Sequence, residues 1–134
     1  MTIVAATLLR QINFPGTENI TLYRFSVPNI PVATLSDDIE FLTHSPGKIE
    51  TLRINCSSKN YQLSLRLEPG VVSPSIEEFY NVIAISQAYY DDNADIWYAK
   101  PPGPNQHKLY GLIRNVDAVN ATGVIYIELV IIRY

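Results

Sequence analysis

Asp91, Asn93 and Asp95 stand at alternate positions in Tyr89-Tyr90-Asp91-Asp92-Asn93-Ala94-Asp95, and oxygen ligands so spaced can converge on Ca²⁺. They are the best metal candidates in the chain. The comparison with a helix-loop-helix calcium loop fails, because Ile96 stands where that loop needs Gly and Pro102 where a bidentate Glu belongs. A solvated turn accounts for them better. Cys56 would act as a nucleophile only if His44 or His107 approached it, since the reacting species is the thiolate. It continues the register of Leu52 and Ile54, which makes it a buried, inert thiol. Glu77 and Glu78 suit the first turn of a helix, where carboxylates oppose the dipole, and nothing sets them across a cleft as a glycosidase pair. Nucleophile elbows, phosphate-cradling glycine loops and zinc-spaced His or Cys clusters are all missing from the sequence. The chain is therefore not expected to be an enzyme, and no cofactor is expected.

A binding role has more to work with. Trp97, together with Tyr89, Tyr90, Tyr98 and Tyr110, could form a platform for a sugar ring, with nearby Asp and Asn side chains meeting its hydroxyls. Trp97 and Tyr98 are successive residues of a strand, however, and so face opposite ways. Core packing of Trp97 is the favoured reading, and a carbohydrate-binding module is the alternative function.

Composition narrows the classes further. At 134 residues the chain makes one domain with a two-layer core. Charged residues are only 17% of it, so less surface than usual is shaped for water. Nine tyrosines suit protein or sugar contacts, although β domains favour tyrosine in any case. A net charge of −3 with scattered basic residues argues against nucleic acid. No apolar run has membrane-spanning length, and residues 1–9 lack a basic n-region, so no membrane partner and a retained N-terminus are expected. A single cysteine excludes an intrachain disulfide and fits synthesis in the cytosol. The triplets starting at Asn19, Asn55 and Asn120 match a glycosylation pattern that arises by chance and needs a secreted context.

The elements that must carry any site are strands. Residues 21–27 and 39–43 read as strands, and residues 49–56 and 61–67 do so more clearly. Residues 57–60 read as the hairpin loop between the last two. Ser75-Ile76-Glu77-Glu78 has capping-box form, which gives a helical turn at about 75–80 followed by a strand to about 88. Residues 95–99 and 108–115 are further strands, separated by the rigid Pro101-Pro102-Gly103-Pro104 loop. Residues 1–12 are apolar but follow neither period, and are expected to contact a neighbouring subunit. The expected fold is an antiparallel β-sandwich or jelly roll with at most one helical turn.

The closing strand, residues 124–134, is apolar on both sides. Ile125, Ile127, Leu129 and Ile131 line one face, while Val124, Tyr126, Glu128, Val130, Ile132 and Tyr134 line the other. Burial of a Val and an Ile contributes roughly 3 to 6 kcal/mol together, so the second face calls for cover. Val124, Tyr126, Val130, Ile132 and Tyr134 are accordingly the candidate interface residues.

Residues 95–129 resemble the C-terminal half of small β-sandwich virion proteins of tailed bacteriophages. The resemblance runs through the aromatic pair Trp97-Tyr98, the strand Leu109-Tyr110-Gly111-Leu112-Ile113-Arg114-Asn115, and the Thr122-Gly123 turn into Val124-Ile125-Tyr126-Ile127-Glu128-Leu129. It covers about a quarter of the chain. It implies a non-enzymatic capsid-decoration, tail, baseplate or fibre component, a homo-oligomer that also meets other virion proteins, made in the host cytoplasm and located in the virion. Copies about a symmetry axis would then cover Val130, Ile132 and Tyr134.

Overall fold

A computed structural model describes residues 3–14, 16, 20–43, 47–66, 78–85, 89–92, 96–98 and 108–133, with side chains described within 3–65 and 109–132. Every described element is a strand: β1 Ile3–Ala5, β2 Thr7–Phe14, β3 Ile20–Val27, β4 Thr34–Leu35, β5 Asp38–Leu42, β6 Gly47–Asn55, β7 Tyr61–Arg66, β8 Glu78–Ile85, β9 Tyr89–Asp92, β10 Ile96–Tyr98, β11 Lys108–Asn115 and β12 Ile125–Arg133. They form two six-stranded sheets. The β11 sheet runs β1-β5-β11-β7-β8 with β4 also on β11, and the β12 sheet runs β10-β6-β12-β3-β2 with β9 also on β6. All pairings are antiparallel except β1 with β5. The molecule is a β-sandwich, as its alternating strands predict.

The core follows from period-2 alternation on both sheets. Tyr23, Phe25, Leu52, Ile54, Ile127 and Leu129 from the β12 sheet meet Ile39, Phe41, Leu63, Leu65, Leu109 and Ile113 from the β11 sheet, all at 2% exposure or less. Phe25 and Phe41 bridge the layers edge to face, with ring centroids 5.1 Å apart. The Tyr23 hydroxyl donates to the Thr43 carbonyl, which satisfies the one polar atom that ring brings inside. In β6, Thr51 pairs with Val130 and Ile49 with Ile131, so Glu50 is the extra residue of a bulge. The bulge lets Ile49 and Leu52, three positions apart, both point inward.

Two expectations need correction. Residues 57–60 are not a hairpin loop, because β6 lies in one sheet and β7 in the other. A hairpin and a crossing between layers leave the same sequence pattern, since both place alternate residues of the two strands in one interior. The helical turn ending at 80 is overridden by β8, which begins at Glu78 and pairs with β7, while residues 75–77 lie outside the described residues. Phe79, Tyr80, Val82 and Ile83 favour a strand wherever an adjacent edge accepts one. The N-terminal stretch is also regular, with β1 on the β11 sheet and β2 on the β12 sheet, joined at Ala6. Both are edge strands, and β2 is largely exposed, so no alternation was imposed on its sequence.

Candidate functional site

The outward face of the β12 sheet is ordered by register into rows. Directly paired residues share a face, so each residue of β12 extends its row across β3 to β2 on one side and to β6 on the other. One row is Phe14, Ile20, Ile132 and Lys48, and the next is Ile12, Leu22, Val130 and Thr51. Then come Arg10, Arg24, Glu128 and Arg53, and last Thr7, Ser26, Tyr126 and Asn55. Six apolar side chains thus lie side by side. Phe14 is 45% exposed, and Ile12, Ile20, Leu22, Val130 and Ile132 are half-buried. The outward face of the β11 sheet differs: Tyr110 and Leu112 are only 2% and 9% exposed. Ile3, Leu35 and Leu42 on that face are 42%, 36% and 41% exposed but stand in separate rows, so among the described residues the contiguous apolar block is on the β12 sheet.

The charged row is only partly neutralised. Arg53 Nη1 lies 3.4 Å from Glu128 Oε1. The Arg24 guanidinium stacks over the Tyr126 ring, 5.4 Å from its centroid, and so leans away from Glu128. Arg10 is registered directly against Arg24, and neither forms an ion pair among the described residues. Like charges facing each other across two strands are unfavourable by a few tenths of a kcal/mol to ~1 kcal/mol.

A polar tie at one end of the sandwich fixes β12 in this arrangement. Asn115, fully buried at the end of β11, donates through Nδ2 to the carbonyls of Ile30, Pro31 and Asn120 at 3.3, 3.1 and 3.1 Å. Its Oδ1 accepts from Ser58 Oγ at 2.7 Å and from the Asp117 amide at 3.2 Å. Thr122, also fully buried, accepts from the Ile30 amide at 2.8 Å, and the Gly123 amide donates to Asn29 Oδ1 at 2.8 Å. Gly123 has φ 62°, a conformation glycine adopts without steric cost, and turns the chain into β12.

Asp117 completes the tie by accepting from the Asn120 and Val119 amides, the Asn120 side chain and the Lys59 amide at 3.0, 2.8, 3.1 and 3.1 Å. These donors, the Asn120 amide first, hold its carboxyl far below the ordinary carboxylate range. A depressed pKa contributes stability above the unfolded value of ~3.9 that is lost as pH falls toward the lower folded value. Asp117→Asn is therefore expected to lower the urea midpoint at pH 7, by a margin that narrows between pH 4 and 2. A margin constant with pH would contradict this role.

The other sequence candidates fall as follows. Val124 and Tyr126 are 52% and 39% exposed, Val130 and Ile132 take the row positions above, and Tyr134 lies outside the described residues. In β10, Trp97 is registered against Lys48 and Tyr98 against Gly47, successive positions as a strand requires. Asp91 is registered against Arg53, while Asn93 and Asp95 lie outside the described residues. Cys56 is buried, its pKa raised chiefly by desolvation, with Sγ 3.6 Å from the Ser58 carbonyl; His44 and His107 lie outside the described residues. Among the described residues no group of three His, Cys, Asp or Glu side chains could hold a metal ion. A cavity of about 410 Å³ between Val4 and residues 27–39 is lined mainly by apolar groups. Its Asn29 and Ser36 oxygens are already engaged by the Gly123 and Ile113 amides.

Sequence reasoning missed Phe14, Ile20, Leu22, Arg10 and Arg24 as parts of this face. The signal was present in β3, where Ile20 and Leu22 fall on the side opposite Tyr23 and Phe25, giving the same two-faced apolar pattern as β12.

No family model and no curated protein matches the chain. Among solved structures it is similar to PliG of Aeromonas hydrophila, a periplasmic lysozyme inhibitor of g-type lysozyme, at 12% identity over 98% of this chain and 97% of that one, with a TM-score of 0.40. It is also similar to a CBM4 structure at 5% identity over 96% of this chain and 78% of that one, with a TM-score of 0.32. At these scores neither likeness bears on function.

Proposed function

We propose that this chain is a non-enzymatic structural protein that assembles with copies of itself and with other subunits through the outward face of its β12 sheet. The observation that carries the reading is that six apolar residues left partly open there are contiguous, whereas the exposed Ile3, Leu35 and Leu42 of the opposite outer face stand in separate rows. In an isolated sandwich such a block would forgo stabilisation and invite unwanted association. Assembly into a tailed-phage particle, as decoration, tail, baseplate or fibre component, is supported by the resemblance in residues 95–129.

Val130→Asp and Ile132→Asp test the reading, because each would place an unpaired carboxylate inside the contact. Light scattering is expected to show wild type larger than a protomer and both variants reduced to protomers. Their circular dichroism should stay unchanged, since these positions are only half-buried in the protomer. Variants that associate like wild type, or that unfold, would contradict it. Should a glycan array instead show binding by wild type that is lost in Trp97→Ala, the sugar-binding alternative takes precedence.

A further inference from the structure

The charge pattern of this face selects one occupant. We infer that the outward β12 sheet packs face to face on a second copy of this chain, about a twofold axis roughly parallel to the strands and running between β3 and β12. This rests on the assembly reading and specifies its partner and geometry. Rotation about that axis sets β3 of each copy over β12 of the other at the same height along the strand. Leu22 then meets the partner's Val130 and Ile20 meets the partner's Ile132, closing an apolar centre, while Ile12 and Phe14 fall over the partner's Thr51 and the stem of the partner's Lys48. In the same step Arg24 is set over the partner's Glu128, and Glu128 under the partner's Arg24.

Charge singles out this axis from its alternative. An in-plane axis running across the strands would stack β12 on the partner's β12, leaving Glu128 opposite like charge or Arg24 opposite none. With the strand-parallel axis each Glu128 gains a second guanidinium beside Arg53, and Arg24, which has no ion pair within the described residues, gains a carboxylate. Arg10 comes over the partner's Arg53 only at the rim, where solvent screens the repulsion. Four strands ~4.8 Å apart and four rows ~6.8 Å apart cover roughly 500 Å² per copy, below the ~800 Å² of a standard interface. The dimer is therefore expected to dissociate in the micromolar range.

Charge exchange provides the test. Arg24→Glu sets Glu against Glu128 twice, and Glu128→Arg sets Arg against Arg24 twice, so each variant alone should sediment as a monomer. Mixed in equal amounts, the two should form a heterodimer, because both contacts then pair Glu with Arg. Sedimentation velocity from ~5 to ~500 µM reads all three states, with circular dichroism confirming that each variant is folded. A monomeric wild type at the upper concentration, single variants that dimerise like wild type, or a mixture that stays monomeric would each overturn the twofold. The two readings fail separately. Insensitivity to the charge changes with loss of association in Val130→Asp removes this geometry and keeps the face; insensitivity to Val130→Asp as well removes both.

Discussion

Replacing Asn115 by Ala is expected to lower the unfolding free energy by about 3 to 5 kcal/mol, a large part of the ~5 to 15 kcal/mol that holds a domain together. The side chain is fully buried and makes five hydrogen bonds, to residues 30 and 31, to Ser58, and to Asp117 and Asn120. Removing it strands buried partners, at about 1 to 3 kcal/mol each where water cannot replace the bond. Ser58, at 0% exposure, would be left with only its longer contacts to the Asn60 carbonyl and amide, at 3.3 and 3.2 Å. Asn115→Asp should be worse at neutral pH, because a carboxylate would face three carbonyl oxygens it cannot donate to. A urea titration checks both. An Ala variant within ~1 kcal/mol of wild type would show that the loops at this end are held by something other than Asn115.

That tie was barely legible beforehand, and the reason is physical. Strands announce themselves through alternation most clearly where one face is buried and the other polar, as in β6. Asn115, Asp117, Asn120 and Thr122 read only as turn formers, because a buried amide and an exposed one leave the same mark in a sequence. Asp117 followed by Asn120 did carry the spacing of a side chain that accepts from amides two and three residues on. What the spacing could not show is that Lys59, from another loop, would supply a further donor.

The face was legible in part. β12 showed its two-sidedness because Ile125, Ile127, Leu129 and Ile131 are all inward at 2% or less, which leaves Val130 and Ile132 with no place in the core. The strands beside it were hidden for different reasons. β2 lies at an edge with few covered positions, and its register slips at Leu9, so Ile12 and Phe14 fall in line with Leu22 and Ile20 only through pairing. Arg10 and Arg24 are fourteen residues apart in the chain and adjacent only in the sheet. A one-dimensional reading registers two ordinary surface arginines.

The second large effect is expected at Gly47. A Cβ there would lie 2.2 Å from the Ile132 carbonyl oxygen and 3.0 Å from Ile131 Cγ2. The obstruction is backbone, so it cannot swing aside as a side-chain tip can, and β6 would have to part from β12. Gly47→Ala should cost about 2 to 4 kcal/mol, at or above the upper end of ordinary overpacking. Because Ile132 belongs to the apolar row, the same change should weaken association in whatever fraction stays folded. Gly111→Ala is the control: its nearest contact is the ring carbon Phe41 Cε2 at 3.0 Å, which a small tilt relieves. Thermal unfolding of the two variants should rank them in that order, and equal midpoints would contradict the account of Gly47.

Hydroxyl-radical labelling tests most directly the claim that the outward face of the β12 sheet is a protein contact. At concentrations where wild type associates, Phe14, Leu22, Tyr126 and Ile132 should be protected relative to Val130→Asp. Leu9 and Val119, 49% and 84% exposed and outside these rows, should be labelled equally in both. Equal labelling of Phe14 and Tyr126 in associated wild type and in the variant would contradict the account.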